Sequence, residues 1–265
     1  MSDEPRPLHM VRFRVDPVAL TTFAARERLL DDDLGYALHV ALRRTFGAAG
    51  PQPLRVLETA ASTAREAVPT RVLGYTEDPD ALTVPATALP DWSEDWSRDG
   101  PAPRLFPESP VARPMPTDWH EGTRYGFEVQ IRPVRRASAG VRPARGATGP
   151  EKRAGERDAF LSAIDAAGEG IVPGREEVYR DWLTERLGEA AELERASLVR
   201  FRRTTVRRSA HAKGGTRAVE GPEALMRGRL RVRDPAAFDR LLRRGVGRHV
   251  AFGYGMLLLR PNGAD

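Results

Sequence analysis

MRGRLRVRDPAAFDRLLRRGVGRHVAFGYGMLLL, residues 226 to 259, holds a strand, a helix and a second strand in one uninterrupted run. Arg227, Arg229, Arg231 and Arg233 alternate with Gly228, Leu230 and Val232, the period-two pattern of a strand that starts near Ala224. Asp234-Pro235 supplies a capping carboxylate and a proline at the first helical position, so PAAFDRLLRR reads as a helix ended by Gly245. Gly245, Gly247, Gly253 and Gly255 then crowd the turn before the apolar run Met256 to Leu259. Such glycines accept positive φ and leave backbone N–H groups bare, while Arg248 and His249 add charge or donors to the same loop. Two readings fit equally, a backbone cradle for phosphate and a plain structural turn. The common nucleotide loops do not fit, because neither G-x-x-x-x-G-K-[ST] nor G-x-G-x-x-G is present and the loop precedes a strand rather than a helix.

Working outward from this unit, LVRFRRTTVRRS (198 to 209) pairs with residues 224 to 234 as a long hairpin around HAKGGTRAVEGP. Before it, ERDAFLSAIDAA and REEVYRDWLTERLGEA carry helix signals, and TRYGFEVQIRPVRR (123 to 136) opens the half as a strand. The first half shows the same order. LHMVRFRV (8 to 15) alternates; a helical stretch from Pro17 to Phe46 is interrupted near Asp31 to Gly35; LRVLE (54 to 58) and TRVLGYT (70 to 76) are strands. A short helix is all that DPDALTVPATAL (78 to 89) can hold, and the proline-rich stretch 90 to 117 offers at most an edge strand around Val111 to Pro116. Two β-α-β-β-α-β units in tandem predict an α+β protein of two ferredoxin-like (RRM-like) domains, 1–118 with the catalytic-type helix and 119–265 with the arginine hairpin and glycine loop. The RNP1 aromatic signature is missing, so base stacking on a sheet face is not indicated.

With 265 residues there is room for two modest cores. Lys+Arg of 42 against Asp+Glu of 37 gives net +5, and arginine supplies most of it. Arginine's planar fork suits phosphate and stacks on bases, which points to nucleic acid; a GC-rich genome writing arginine throughout is the competing explanation. The absence of cysteine excludes disulfides and thiolate metal sites. Without a run long enough for a membrane span or a signal-peptide core, a cytoplasmic protein is expected.

On the helix DLGYALHVALRRTFG (33 to 47), Leu34, Leu38 and Leu42 share one side, while Tyr36, His39 and Arg43 gather on the other at i, i+3 and i+7. Phenol, imidazole and guanidinium on one surface make an acid-base trio around a phosphate; an amphipathic helix with a polar outer side fits the same spacing. The five histidines, His9, His39, His120, His211 and His249, form no H-x-x-x-H or H-E-x-x-H pair, so no metal site is expected and no cofactor. No G-x-S-x-G elbow is present. Arg200, Arg202 and Arg208 share one face of the hairpin and Arg203 and Arg207 the other, with no acid between Val199 and Val219. Arg135, Arg136, Lys152 and Arg153 lie in or beside a basic loop spanning 137 to 155. Together these are candidate RNA contacts, with Gly245, Gly247, Arg248 and His249.

The segment 226 to 259, with its strand, Asp-Pro cap and paired-glycine loop, resembles the C-terminal signature of the CasE-type CRISPR RNA endoribonucleases. YALH at 36 to 39 is similar to the Tyr-x-x-His element on that family's first helix, and IRPVRR with the later EKR to the opening of its second domain, so the likeness runs from about Met10 to Pro261. It implies a tandem ferredoxin-like fold that binds the stem-loop of CRISPR repeat RNA. It further implies metal-free cutting of precursor CRISPR RNA at the base of the hairpin by 2′-hydroxyl attack. By position, His39 would be the general acid-base residue and Tyr36 would orient the nucleophile or phosphate. The product would stay bound, with the protein a subunit of the Cascade surveillance complex beside other Cascade subunits. The stretches 90–117 and 137–155 depart from the family pattern. A non-catalytic RNA-binding scaffold subunit is the alternative, whereas a 2′-end phosphodiesterase or ligase would carry paired H-x-[ST] motifs, which are absent.

Overall fold

The computed structural model describes residues 6–29, 34–57, 70–82, 104–136, 156–168, 170–171, 173–210 and 215–261, the side chains of 206–210 and 215–219 excepted. Four strands, β1 (His9–Val15), β2 (Leu54–Leu57), β3 (Thr70–Thr76) and β4 (Val111–Pro114), form a first antiparallel sheet in the order β2-β3-β1-β4. Helices α1 (Pro17–Arg26) and α2 (Gly35–Phe46) connect β1 to β2. In the second half, β5 (Arg124–Ile131), β8 (Ala191–Ala210), β9 (Gly215–Val232) and β10 (Leu258–Arg260) form a second sheet in the order β10-β5-β9-β8. Counted within each half, the first sheet runs second-third-first-fourth and the second runs fourth-first-third-second, the same ferredoxin-like strand order read from opposite edges. A small antiparallel pair, β6 (Val134–Arg136) with β7 (Glu156–Asp158), is inserted ahead of α3 (Ala159–Ala167) and α4 (Arg175–Leu187). Helix α5 (Pro235–Arg244) leads into the glycine loop. Residue 118 falls between β4 and β5.

Local chemistry explains the helix ends. Asp16 and Asp234 each stand before a proline and accept hydrogen bonds from N–H groups of the first turn, Val18 and Ala19 for α1 and Ala237 for α5. Each such cap contributes about 1 kcal/mol. At the far end of α5 the Gly245 N–H donates to the Leu241 carbonyl with φ +74. Two cores follow. Val11, Phe13, Val15, Phe23, Leu38 and Leu42 fill the first, and Phe127, Val129, Ile131, Trp182, Leu230 and Phe238 fill the second. Leu8 and Tyr75 of the first half are buried in the second core, and the Tyr75 hydroxyl donates to the Leu257 carbonyl across 2.8 Å. Among the described residues no helix is long and apolar enough to cross a membrane.

Several elements differ from the sequence expectation. The hairpin is longer, with β8 reaching Ala210 and β9 beginning at Gly215, within the stretch 211–222 expected as the connection. Gly221-Pro222 reads as a turn by composition, yet it lies within β9: a Cβ at Gly221 would meet Arg132 Nη2 at 2.7 Å, so the glycine makes room for a buried guanidinium. The start of β8 is hidden in the sequence by register shifts at Leu193/Arg195 and Leu198/Arg200, which break the period-two alternation. Gly228 pairs with Ala196, just beyond the first of these, where a Cβ would come within 2.0 Å of the Arg195 carbonyl oxygen. The strand expected over 123–136 is interrupted at Arg132-Pro133, and ERD, expected as helix, is β7, with Asp158 capping α3.

Candidate nucleic-acid interface

Helix α2 turns its Leu38, Leu42, Ala37 and Ala41 into the first core, leaving Tyr36 and His39 half-buried and Arg43 exposed, as their spacing required. The ring centroids of Tyr36 and His39 stand 6.5 Å apart. Burial, seconded by the nearby Arg43 guanidinium, holds the His39 imidazole below its ordinary pKa of 6.5. His39 is therefore neutral at pH 7 and able to accept a proton.

The glycine loop packs directly on this face. Its short 3-10 turn, Val250–Phe252, brings the Phe252 ring edge-on to Tyr36 at 5.6 Å and to His39 at 5.4 Å. Gly245 and Gly247 adopt φ of +74 and +81, and the close approach they permit is to protein: a Cβ would meet Val250 Cγ1 at 2.8 Å from Gly245 and Trp182 Cη2 at 2.6 Å from Gly247. His249, a non-glycine residue at φ +66, has a buried side chain whose Nε2 lies 2.9 Å from Glu156 Oε2. Arg248 Nε lies 3.2 Å from the other oxygen of Glu156 and its side chain is 45% exposed, so it retains surface for a ligand. Neither Phe252 nor Glu156 stands out in the sequence; one aromatic of a glycine-rich turn and an acid just after a basic loop carry no periodic signal.

The arginines divide by location. Arg202 lines a cavity of about 230 Å³ together with Leu34, Leu38, Val56, Phe252 and Gly253, so the root of the hairpin reaches the apolar side of α2, and Phe252 is the residue that touches both this cavity and the Tyr36–His39 face. Arg200 and Arg202 both face the buried Glu223 carboxylate, at 3.5 and 2.6 Å. Glu223 in turn accepts from the Tyr254 hydroxyl at 3.1 Å, and Thr204 joins Tyr254 to the buried Arg132. Arg203 pairs with Glu220 at 2.7 Å on the opposite face. The strand 200–208 lacks acids in sequence, but pairing with β9 brings Glu220 and Glu223 to it. Arg135 pairs with Glu185 at 2.6 Å, and Arg136 lies across β6–β7 from Glu156, both arginines being exposed. Arg43 lines a separate cleft of about 640 Å³ with Arg6 and Arg243. Lys152 and Arg153 lie outside the described residues, as do the side chains of Arg207 and Arg208. Among the described residues, no group of three or more His, Cys, Asp or Glu side chains is placed to hold a metal ion.

The fold is that of several solved CRISPR proteins. The CRISPR endoribonuclease Cse3 bound to a 19-nucleotide RNA is 22% identical, with a TM-score of 0.54 over 96% of this chain and 100% of that one. Cas6e of Escherichia coli K-12 is 14% identical, with a TM-score of 0.52 over 96% and 99%. A chain of a CRISPR RNA-guided surveillance complex in its pre-nicking state is 17% identical, with a TM-score of 0.53 over 95% and 99%. No curated protein sequence matches the chain. The family model for CRISPR-associated proteins matches residues 8–261, nearly the whole length, and the chain belongs to that family.

Proposed function

We propose that this protein binds the stem-loop of CRISPR repeat RNA, cuts precursor CRISPR RNA at the base of the hairpin without a metal ion, and remains with the product as a subunit of a Cascade-type surveillance complex. The observation that carries this reading is the Tyr36–His39 face, backed by Phe252, which also lines the cavity that Arg202 reaches from the root of the arginine hairpin. Its support from relatives is the RNA bound to Cse3 and the surveillance complex that contains a chain of this fold.

The neutral His39 Nε2 or Nδ1 accepts the proton of the 2′-hydroxyl as that oxygen attacks the adjacent phosphorus. The new 2′-O–P bond forms as the P–O5′ bond breaks, giving a 2′,3′-cyclic phosphate and a 5′-hydroxyl that takes up a proton. Tyr36 donates to a non-bridging oxygen or holds the ribose, and guanidiniums offset the charge that accumulates on phosphorus. The division of labour follows the halves 1–118, which carries the acid-base pair, and 119–265, which carries the arginine hairpin and the glycine loop. Action in the cytoplasm belongs to the same proposal, because the transcript is there.

Labelled repeat RNA incubated with pure protein tests it. Wild-type protein should cut once, at the stem base, with EDTA present, and His39→Ala should bind RNA but not cut. Binding without cutting by the wild type would assign a scaffold instead, and full cutting by His39→Ala would remove the acid-base assignment.

A further inference from the structure

Phe252 is the side chain through which the glycine loop meets the acid-base face. Its ring lies edge-on to both Tyr36 and His39, at interplanar angles of 69° and 79°, and is 5.8 Å from the His249 ring behind it. His249 is itself fixed, left-handed in backbone and hydrogen-bonded to Glu156, the first residue of β7. A clamp therefore runs from β7 through His249 to Phe252 and ends on the two residues of α2.

We infer that Phe252 is a positioning residue for His39 and Tyr36, holding the imidazole and phenol in the orientation that the 2′-hydroxyl attack requires and covering one face of the imidazole against water. The inference rests on the ribonuclease reading above. A histidine on a half-exposed helix face has several rotamers open to it, and contact with a ring that is locked from behind selects among them. A reacting group displaced by about 1 Å can lose roughly 100-fold in rate. The charged and titratable groups around His39 are Tyr36 and Arg43 on α2 and His249, Arg248 and Glu156 behind the Phe252 ring; Arg202 of β8 lines a cavity on the other side of Phe252. Burial is the foremost cause that keeps His39 below 6.5, so stripping Phe252 should raise its titration midpoint towards that value.

The test compares Phe252→Ala, Phe252→Leu and Phe252→Tyr with wild type in three measurements: the His39 imidazole NMR titration in RNA-free protein, single-turnover cleavage of repeat RNA across roughly pH 5 to 8, and RNA affinity. Phe252→Ala should cut roughly 10- to 100-fold more slowly, bind RNA as wild type does, and shift both the His39 midpoint and the acidic limb of the rate profile upward. Phe252→Tyr, which keeps the ring, should restore rate and midpoint. If Phe252→Ala does not fold, Phe252→Leu keeps the bulk without the aromatic edge and should show the same slower rate. Wild-type rate and midpoint in the Ala or Leu variant would overturn the inference, as would a rate loss that Tyr does not rescue. Should the wild type fail to cut repeat RNA, the ribonuclease reading falls, while the NMR titration still decides whether Phe252 governs His39.

Discussion

Arg55 of β2 stands 3.5 Å from Glu128 of β5, and this buried ion pair joins the first sheet to the second. Burial pulls the Arg55 guanidinium below its ordinary pKa, with Glu128 opposing that drop and Arg200 adding to it. Glu128 also holds Arg227 at 2.6 Å and Arg260 at 3.4 Å, so the partners are unequal. Glu128→Ala leaves the buried Arg55 with only the weaker pull of Glu223 and should cost about 3 to 5 kcal/mol. Arg55→Met leaves Glu128 two other guanidiniums and should cost less. Urea unfolding of the two variants checks the order; equal losses would contradict it.

The same carboxylate predicts an acid response. Burial pushes the Glu128 pKa up, but Arg227, Arg55 and Arg260 together outweigh it and hold it below 4.5. A folded-state value below the unfolded one means the unfolded chain takes up the proton first, so this stabilisation is present above 4.5 and is lost as pH falls through the folded value. The stability gap between wild type and Glu128→Gln should narrow progressively below pH 4.5. A gap that stays constant down to acid unfolding would show that the carboxylate's charge is not what stabilises.

Gly247→Ala separates two roles for the glycine loop. At φ +81, with Trp182 2.6 Å from the added Cβ, alanine brings both backbone strain and overpacking, together roughly 2 to 4 kcal/mol. Thermal unfolding should report that loss. A loop glycine whose use is to touch RNA would instead lower affinity with stability unchanged.

If His39 is the base, as proposed, it sets the pH dependence of cleavage. Because its folded pKa is depressed, the midpoint of the rise of cleavage rate with pH should fall below 6.5. A rate still rising steeply through pH 7 would assign the base to another group.

Salt should read the hairpin. Removing one guanidinium that binds a phosphate reduces the slope of log affinity against log salt by about 1. Arg202→Ala, at the root of the hairpin, should show that change. Arg203→Ala, whose partner Glu220 faces the other side, should show less.

The tandem unit is legible because its signals are local: alternation in His9–Val15 and Arg124–Ile131, the Asp-Pro caps at 16–17 and 234–235, and the apolar side of α2 are all written within a few residues. The shared outer side of Tyr36, His39 and Arg43 is legible for the same reason, as the three lie on one helix. What stays hidden depends on distant partners. The bulges of β8, the strand character of Gly221-Pro222 beside Arg132, the carboxylates that cross-strand pairing sets against Arg200, Arg202 and Arg203, and the seat of Phe252 on His39 all arise between residues far apart in the chain.

The partner strand β5 pairs with β9 only from Ala224 to Arg231, while β8 and β9 stay paired up to Ala210 and Gly215. Beyond Ala224 the hairpin is thus a two-stranded ribbon, and its Phe201–Ala210 arm extends about 33 Å at ~3.3 Å per residue. A ribbon of two strands has little stability of its own. Its aim is set where Arg132, Thr204, Tyr254 and Glu223 knot it to the second sheet, and a small tilt at that anchorage is magnified along the arm into a large sweep at the tip, as with a cantilever fixed at one end.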